Sequence, residues 1–187
     1  MQWDCLLYLK MVEFLLNNAH PTFQEQIPAV YEGLLKRYPF AKLNRVELYE
    51  PRGHDTSMAA AFPNGIIRLN SYWFTGAPDR INDAAKRDAA IEVDGKEILW
   101  HGPMVSEPLH VLVHEFGHVI EEALKQAVRA WSKPRWMFAT IMPDKAPSGY
   151  ALANSSEFFA EAFALYNLGF ASEEDTDDMK KLLESVN

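Results

Sequence analysis

Residues 114–118 read His-Glu-Phe-Gly-His. Two histidines four apart on a helix stand on one face, one turn apart, so both imidazoles can reach a single divalent ion. Glu115 between them projects close enough to hold a metal-bound water and accept its proton. The chemistry that this spacing serves is metal-assisted hydrolysis. No other segment points to covalent chemistry so specifically, and a chance match is improbable in a chain with only six histidines.

The surroundings reinforce the motif. Ser106-Glu107-Pro108 is a helix start, with a capping hydroxyl and an early proline. Leu109, Val111, Leu112, Val113, Phe116, Val119 and Ile120 then make a helix from Glu107 to about Val128 apolar on most of its surface. Such a helix belongs in a core. Histidines there need partners, and a metal supplies one to both. His110 extends the stripe to 110, 114 and 118, but it stands one turn further back, about 6 Å along the axis. It reads as a core or rim histidine, not a ligand.

A hydrolytic zinc site takes three protein ligands and leaves a position for water. The lone cysteine, Cys5, rules out a thiolate cage and an internal disulfide, so the site must be built from His and carboxylate; Cys5 itself reads as a small buried hydrophobe. A metzincin would carry Gly and His three and six residues beyond His118; Glu121 and Leu124 stand there. Glu121 and Glu122 read as solvated helix carboxylates. The better donors lie downstream, where Glu157 and Glu161 share one face of a Phe- and Ala-rich helix at i, i+4. Two acids there are costly to bury unpaired. One as a ligand and the other as an acceptor for a ligand histidine removes that cost.

The run Tyr150-Ala-Leu-Ala-Asn-Ser-Ser-Glu157-Phe-Phe-Ala-Glu161-Ala-Phe163, following His-Glu-Phe-Gly-His, resembles the catalytic domain of anthrax lethal factor and the related Pro-Pro endopeptidases. Similar gluzincin-type domains occur in phage and mobile-element proteins. The likeness covers about Leu109 to Leu165. It implies one zinc ion held by His114, His118 and Glu157, with Glu115 as general base. It also implies that Tyr150 donates its hydroxyl to the tetrahedral intermediate and that Glu161 supports a ligand from behind. By analogy with zincins, a peptide would add as a strand along a sheet edge, with Gly65 to Asn70 (Ile66, Ile67, Arg68 and Leu69) as the candidate edge.

The elements that must position these residues follow from patterning. Asp4 to about Asn17 and Phe23 to Arg37 read as a helical hairpin (residues 1–40). Leu43 to Glu50 alternates as a strand. Ser57–Phe62 and Ile66–Asn70 flank Pro63-Asn64-Gly65, a hairpin signal. Ala77 to about Ile91 reads as an exposed helix, and Val93–Ile98 as a short hairpin or a loop. The sheet and motif helix fill residues 41–128, and a helical lobe fills 129–187. In that lobe one helix runs from about Tyr150 to Leu168, stopped by Gly169, and an acidic one from Ser172 to Ser185. The expected fold is α+β and zincin-like, a single domain with a small, mostly antiparallel sheet on the motif helix and a mainly helical C-terminal lobe.

The 187 residues, 48% hydrophobic and 12% aromatic, suffice for one sizeable core. A net charge of −8 argues against nucleic acid as a partner; a peptide or protein substrate is expected instead. The apolar stretch Leu6–Leu16 carries Lys10 and Glu13, lacks a basic start and a cleavage site, and is too short for a bilayer. A full natural chain of this kind is expected in the cytosol, off the membrane. His20, His54 and His101 read as loop residues, and Trp100, Trp131 and Trp136 as packing. The competing expectation is a binding or assembly protein with a vestigial metal site; Glu115 argues against it, since a structural site needs no base. A toxin-type effector would differ only in substrate and delivery.

Overall fold

A computed structural model describes residues 12–87, 91–93, 96–98, 107–127 and 146–184. In chain order these form β1 (Glu13–Leu15), α1 (Pro21–Arg37), β2 (Arg45–Tyr49), β3 (Ala59–Phe62), β4 (Ile66–Asn70), the short α2 (Ser71–Phe74) and α3 (Asp79–Arg87). A small hairpin of β5 (Ile91–Val93) and β6 (Lys96–Ile98) follows, then α4 (Glu107–Ala127), a 3-10 turn (Tyr150–Leu152), α5 (Ser155–Leu168) and α6 (Glu173–Glu184). The class is α+β, with a four-stranded sheet in the order β1-β2-β4-β3.

The sheet is mixed, not mostly antiparallel. β1 and β4 both run parallel to β2, and only β3 with β4 is antiparallel. One of the two parallel pairs comes from residues 12–16, expected to end a first helix. Their apolar run is short, and a short run does not distinguish helix from buried strand. Glu13 sits opposite Arg45, and their side chains pair at 2.7 Å. Arg68 and Glu47, also opposite each other, pair at 2.8 Å, so a ladder of charges runs across the outer face of β1, β2 and β4. Where the first helix was expected to end, the chain instead forms the strand Glu13–Leu15, which leads into α1 and then β2, parallel to it. Asp4–Met11, with Cys5, lie outside the described residues, as do Trp100, His101, Trp131, Trp136 and Val128.

The expected β3–β4 hairpin forms. Gly65 takes φ +74°, and a Cβ there would meet the Lys42 carbonyl, so only glycine serves. Its N–H donates to the Phe62 carbonyl, and its own carbonyl accepts from the amides of Asn44 and Arg45, which fixes the turn to the start of β2. This arrangement moves the edge. Ile66–Asn70 lies inside the sheet, with Ile67 and Leu69 fully buried, and the outer strand beside α4 is β3. The reason for assigning substrate contact to Ile66, Ile67, Arg68 and Leu69 therefore passes to Ala59–Phe62.

α4 lies at the centre, against α5, β3, α1 and α3. Tyr31 of α1 stacks on Phe116 of α4 at 6.1 Å between ring centres, and Phe163 of α5 meets the same ring at 6.2 Å. Buried apolar side chains from α1, the sheet, α4, α5 and α6 join in one core. The expected helix from Tyr150 is broken. Asn154 caps α5 by accepting from the amides of Ser156 and Glu157, and Tyr150 stands on a separate 3-10 turn before it. α5 ends at Gly169, φ +81°. α3 is described as far as Arg87, and Ile91, expected at its end, lies in β5 instead. No helix among the described residues is long and apolar enough to cross a membrane.

α4 packs tightly on α5 at Gly117. A Cβ there would stand 2.9 Å from Ala160 Cα and 3.3 Å from its Cβ. Helix propensity alone favours Gly→Ala by about 1 kcal/mol, so a net loss is diagnostic of this contact. Gly117→Ala is expected to destabilise the fold by about 1–3 kcal/mol in urea unfolding; a gain in stability would contradict the packing described.

Candidate metal centre

Gly117 lets α5 approach so closely that its acidic face meets the histidine face of α4. His114 Nε2 lies 3.0 Å from Glu157 Oε2, His118 Nε2 lies 3.3 Å from the same oxygen, and the two Nε2 atoms are 3.2 Å apart. Ligands at zinc-like bond lengths in a tetrahedron stand about 3.3 Å from one another. The three atoms thus form a near-equilateral triangle of the size of one tetrahedral face. They can hold a metal ion.

A second set, His110, His114 and Glu161, also meets the distance condition. Here Glu161 Oε1 lies 2.9 Å from His110 Nε2 and 2.7 Å from His114 Nδ1. These are hydrogen bonds from two ring N–H groups to one carboxylate oxygen, and both outer members are buried in the core. The first set borders a cleft of about 380 Å³, whose walls include His118, Glu157, Glu115, Tyr150 and the β3 backbone. A ligand can therefore reach the first set, and Glu161 fixes the His114 ring from the core side. His110, expected in the core or at the rim, is buried, and its Nε2 meets Glu161.

The charges are strongly coupled. Burial pushes His114 down, but the carboxylates of Glu157 and Glu161 outweigh it and hold the ring up at about 10. Burial likewise raises Glu157, and hydrogen bonds from His114 and His118 more than reverse it, to about 2. Glu161 is held well below the usual carboxylate range, because His110 and His114 overcome its burial.

Glu115 and Tyr150 flank the triangle. Glu115 is 7% exposed, and burial raises its pKa, opposed by the charges of His114 and His118. The Ala61 amide of β3 faces this carboxyl, while Oε2 has no hydrogen-bond partner among the described residues. The Tyr150 ring stands 5.7 Å from that of His114. Burial, then Glu157, Glu115 and Glu161, push its hydroxyl up to about 12, so it is a proton donor at neutral pH.

β3 completes the cleft. The carbonyls of Met58 and Phe62 accept from Asn70 and Gly65 on the β4 side. Backbone groups of alternate residues point the same way, so those of Ala59 and Ala61 face outward, toward the cleft.

Two residues were not foreseen. Glu121, read as solvated, is 7% exposed and lies 2.5 Å from the Ser156 hydroxyl, which in turn sits 3.1 Å from His118 Nδ1. The signal was available: an acid three residues past His118 on a nearly all-apolar helix faces the same burial cost as Glu157 and Glu161. Glu122 is half-buried on the cleft wall, held by Gln126. His20 caps α1 through its Nδ1, and His54 is exposed in a loop.

Glu161→Ala would leave two buried ring N–H groups unpartnered. It is expected to cost about 3–5 kcal/mol in denaturant unfolding of the metal-free protein; a cost below about 1 kcal/mol would show that the pair is not formed. Compared with known proteins, the chain matches no family model, no curated protein and no solved structure.

Proposed function

We propose that this chain is a zinc-dependent metalloendopeptidase that hydrolyses peptide bonds with a Glu115-activated water. The observation that carries the reading is the triangle of His114 Nε2, His118 Nε2 and Glu157 Oε2, with sides of 3.0–3.3 Å, opening on a cleft beside Glu115. Two imidazoles and one carboxylate suit zinc, and three protein ligands leave a fourth position for chemistry. The similarity of the Tyr150–Glu157–Glu161 spacing to the lethal factor and Pro-Pro endopeptidase domains supports the same assignment.

Zinc, when bound, brings the pKa of a coordinated water toward neutrality and polarises a carbonyl. Glu115 takes that water's proton at its unpartnered Oε2 and returns it to the leaving amide nitrogen. The Tyr150 hydroxyl donates to the oxygen that gains charge as the carbonyl carbon becomes tetrahedral. The outward amide and carbonyl of Ala59 and the carbonyl of Ala61 pair with an extended peptide, making β3 the strand to which substrate adds. Glu161 keeps a proton on His114 Nδ1, so Nε2 is left to bind.

Cleavage of a peptide library in the presence of zinc tests the reading. Glu115→Gln is expected to keep zinc and to lower kcat by at least about 10³-fold, within the range for loss of a general base. Tyr150→Phe is expected to lower kcat by about 10²-fold with little change in KM. Glu157→Ala is expected to release most of the zinc by metal analysis. Undiminished cleavage by Glu115→Gln would overturn the mechanism, and full zinc occupancy in Glu157→Ala would overturn the ligand set.

A further inference from the structure

Two side chains beside the triangle, the buried Glu121 and the partly buried Ser156, have no part in the hydrolytic step. Ser156, in the first turn of α5, has its oxygen 3.1 Å from His118 Nδ1 and 2.5 Å from Glu121 Oε2. The other oxygen of Glu121 accepts from Lys125 at 2.8 Å, one turn along α4. The direction of each bond follows from the donor inventory. A carboxylate only accepts, so the Ser156 O–H donates to Glu121. The serine oxygen then accepts from His118 Nδ1–H. With its proton on Nδ1, His118 presents the lone pair of Nε2 to His114 and Glu157.

The two histidines are therefore held differently. His114 is fixed by direct contact with Glu161 in the core, at 2.7 Å. His118 stands on the cleft side, its side chain 17% exposed against 7% for His114, and is fixed through a hydroxyl. A ring at the rim is the one that water and substrate would most readily turn.

We propose that Ser156 and Glu121 are positioning residues: a hydroxyl–carboxylate relay that locks the tautomer and ring orientation of His118 and aims Nε2 at the ion. This rests on the reading of His114, His118 and Glu157 as the metal centre. Outer partners of this kind set metal affinity by about 10–100-fold.

The test is zinc affinity of the whole chain, measured by competition with a chromophoric chelator, with the melting temperature of the metal-free protein followed in parallel. Ser156→Ala is expected to weaken zinc binding by about 10–100-fold, and Ser156→Thr, which keeps the hydroxyl, to restore most of it. Glu121→Leu is expected to weaken binding similarly, and the double variant no more than the worse single one, because both act through one chain of bonds. Cobalt-loaded Ser156→Ala is expected to show shifted visible bands. If Ser156→Ala does not fold, Glu121→Leu with Ser156 intact carries the same comparison. Wild-type zinc affinity in folded Ser156→Ala and Glu121→Leu, with only stability lowered, would overturn the relay while leaving the metal centre standing. Failure of the wild-type chain to bind zinc would overturn both.

Discussion

The approach of α5 to α4 at Gly117 and Ala160 governs the rest of the site. Without a side chain on Gly117, the helix axes come close enough for short acidic side chains to reach imidazoles on the opposite helix. Glu157 and Glu161 would be costly to bury alone on a helix of Phe and Ala. Against His110, His114 and His118 they are paired, and the cost becomes a strong preference for one relative placement of the two helices. The aromatic contacts of Phe116 with Tyr31 and Phe163 hold that placement from the other side. The core and the polar site are therefore one packing problem.

The polar groups are arranged in depth. The donor triangle lies between the core and the cleft, with Glu161 and His110 behind it and Ser156, Glu121 and Lys125 along its rim. Each outer group places a proton on the ring nitrogen that faces away from the triangle. The inner nitrogens and Glu157 are left converging on one point, an arrangement that like lone pairs do not favour without a cation. On the cleft side, β3 puts small alanine side chains and outward backbone groups opposite Glu115, leaving room for a second chain. In the proposed peptidase that room is where substrate lies.

Much of this was legible in the sequence because it depended on local spacing. The i, i+4 histidines, the i, i+4 glutamates and the Pro-Asn-Gly turn are periodic or turn signals, and each has its structural counterpart. All but the last of the errors share one cause, that the deciding partner was distant in sequence. Glu13–Leu15 is a strand because Arg45 and β2 stand beside it, and its own short apolar run does not report that. The parallel pairing of β4 with β2 puts Ile66–Asn70 inside the sheet and gives the edge to β3, a choice set by strand order, which hairpin patterning leaves open. Glu121 is buried because Ser156, 35 positions on, meets it across the helix pair. Asn154 breaks the expected helix from Tyr150 because its side chain offers two amides of α5 a better acceptor than a continued turn.

Zinc K-edge absorption on the zinc-loaded chain tests the central claim most directly. The account predicts one zinc per chain, a first shell of four nitrogen or oxygen neighbours at about 2.0–2.1 Å, and the outer-shell scattering of two imidazoles. Absence of bound zinc, sulfur in the first shell, or scattering from no more than one imidazole would contradict it.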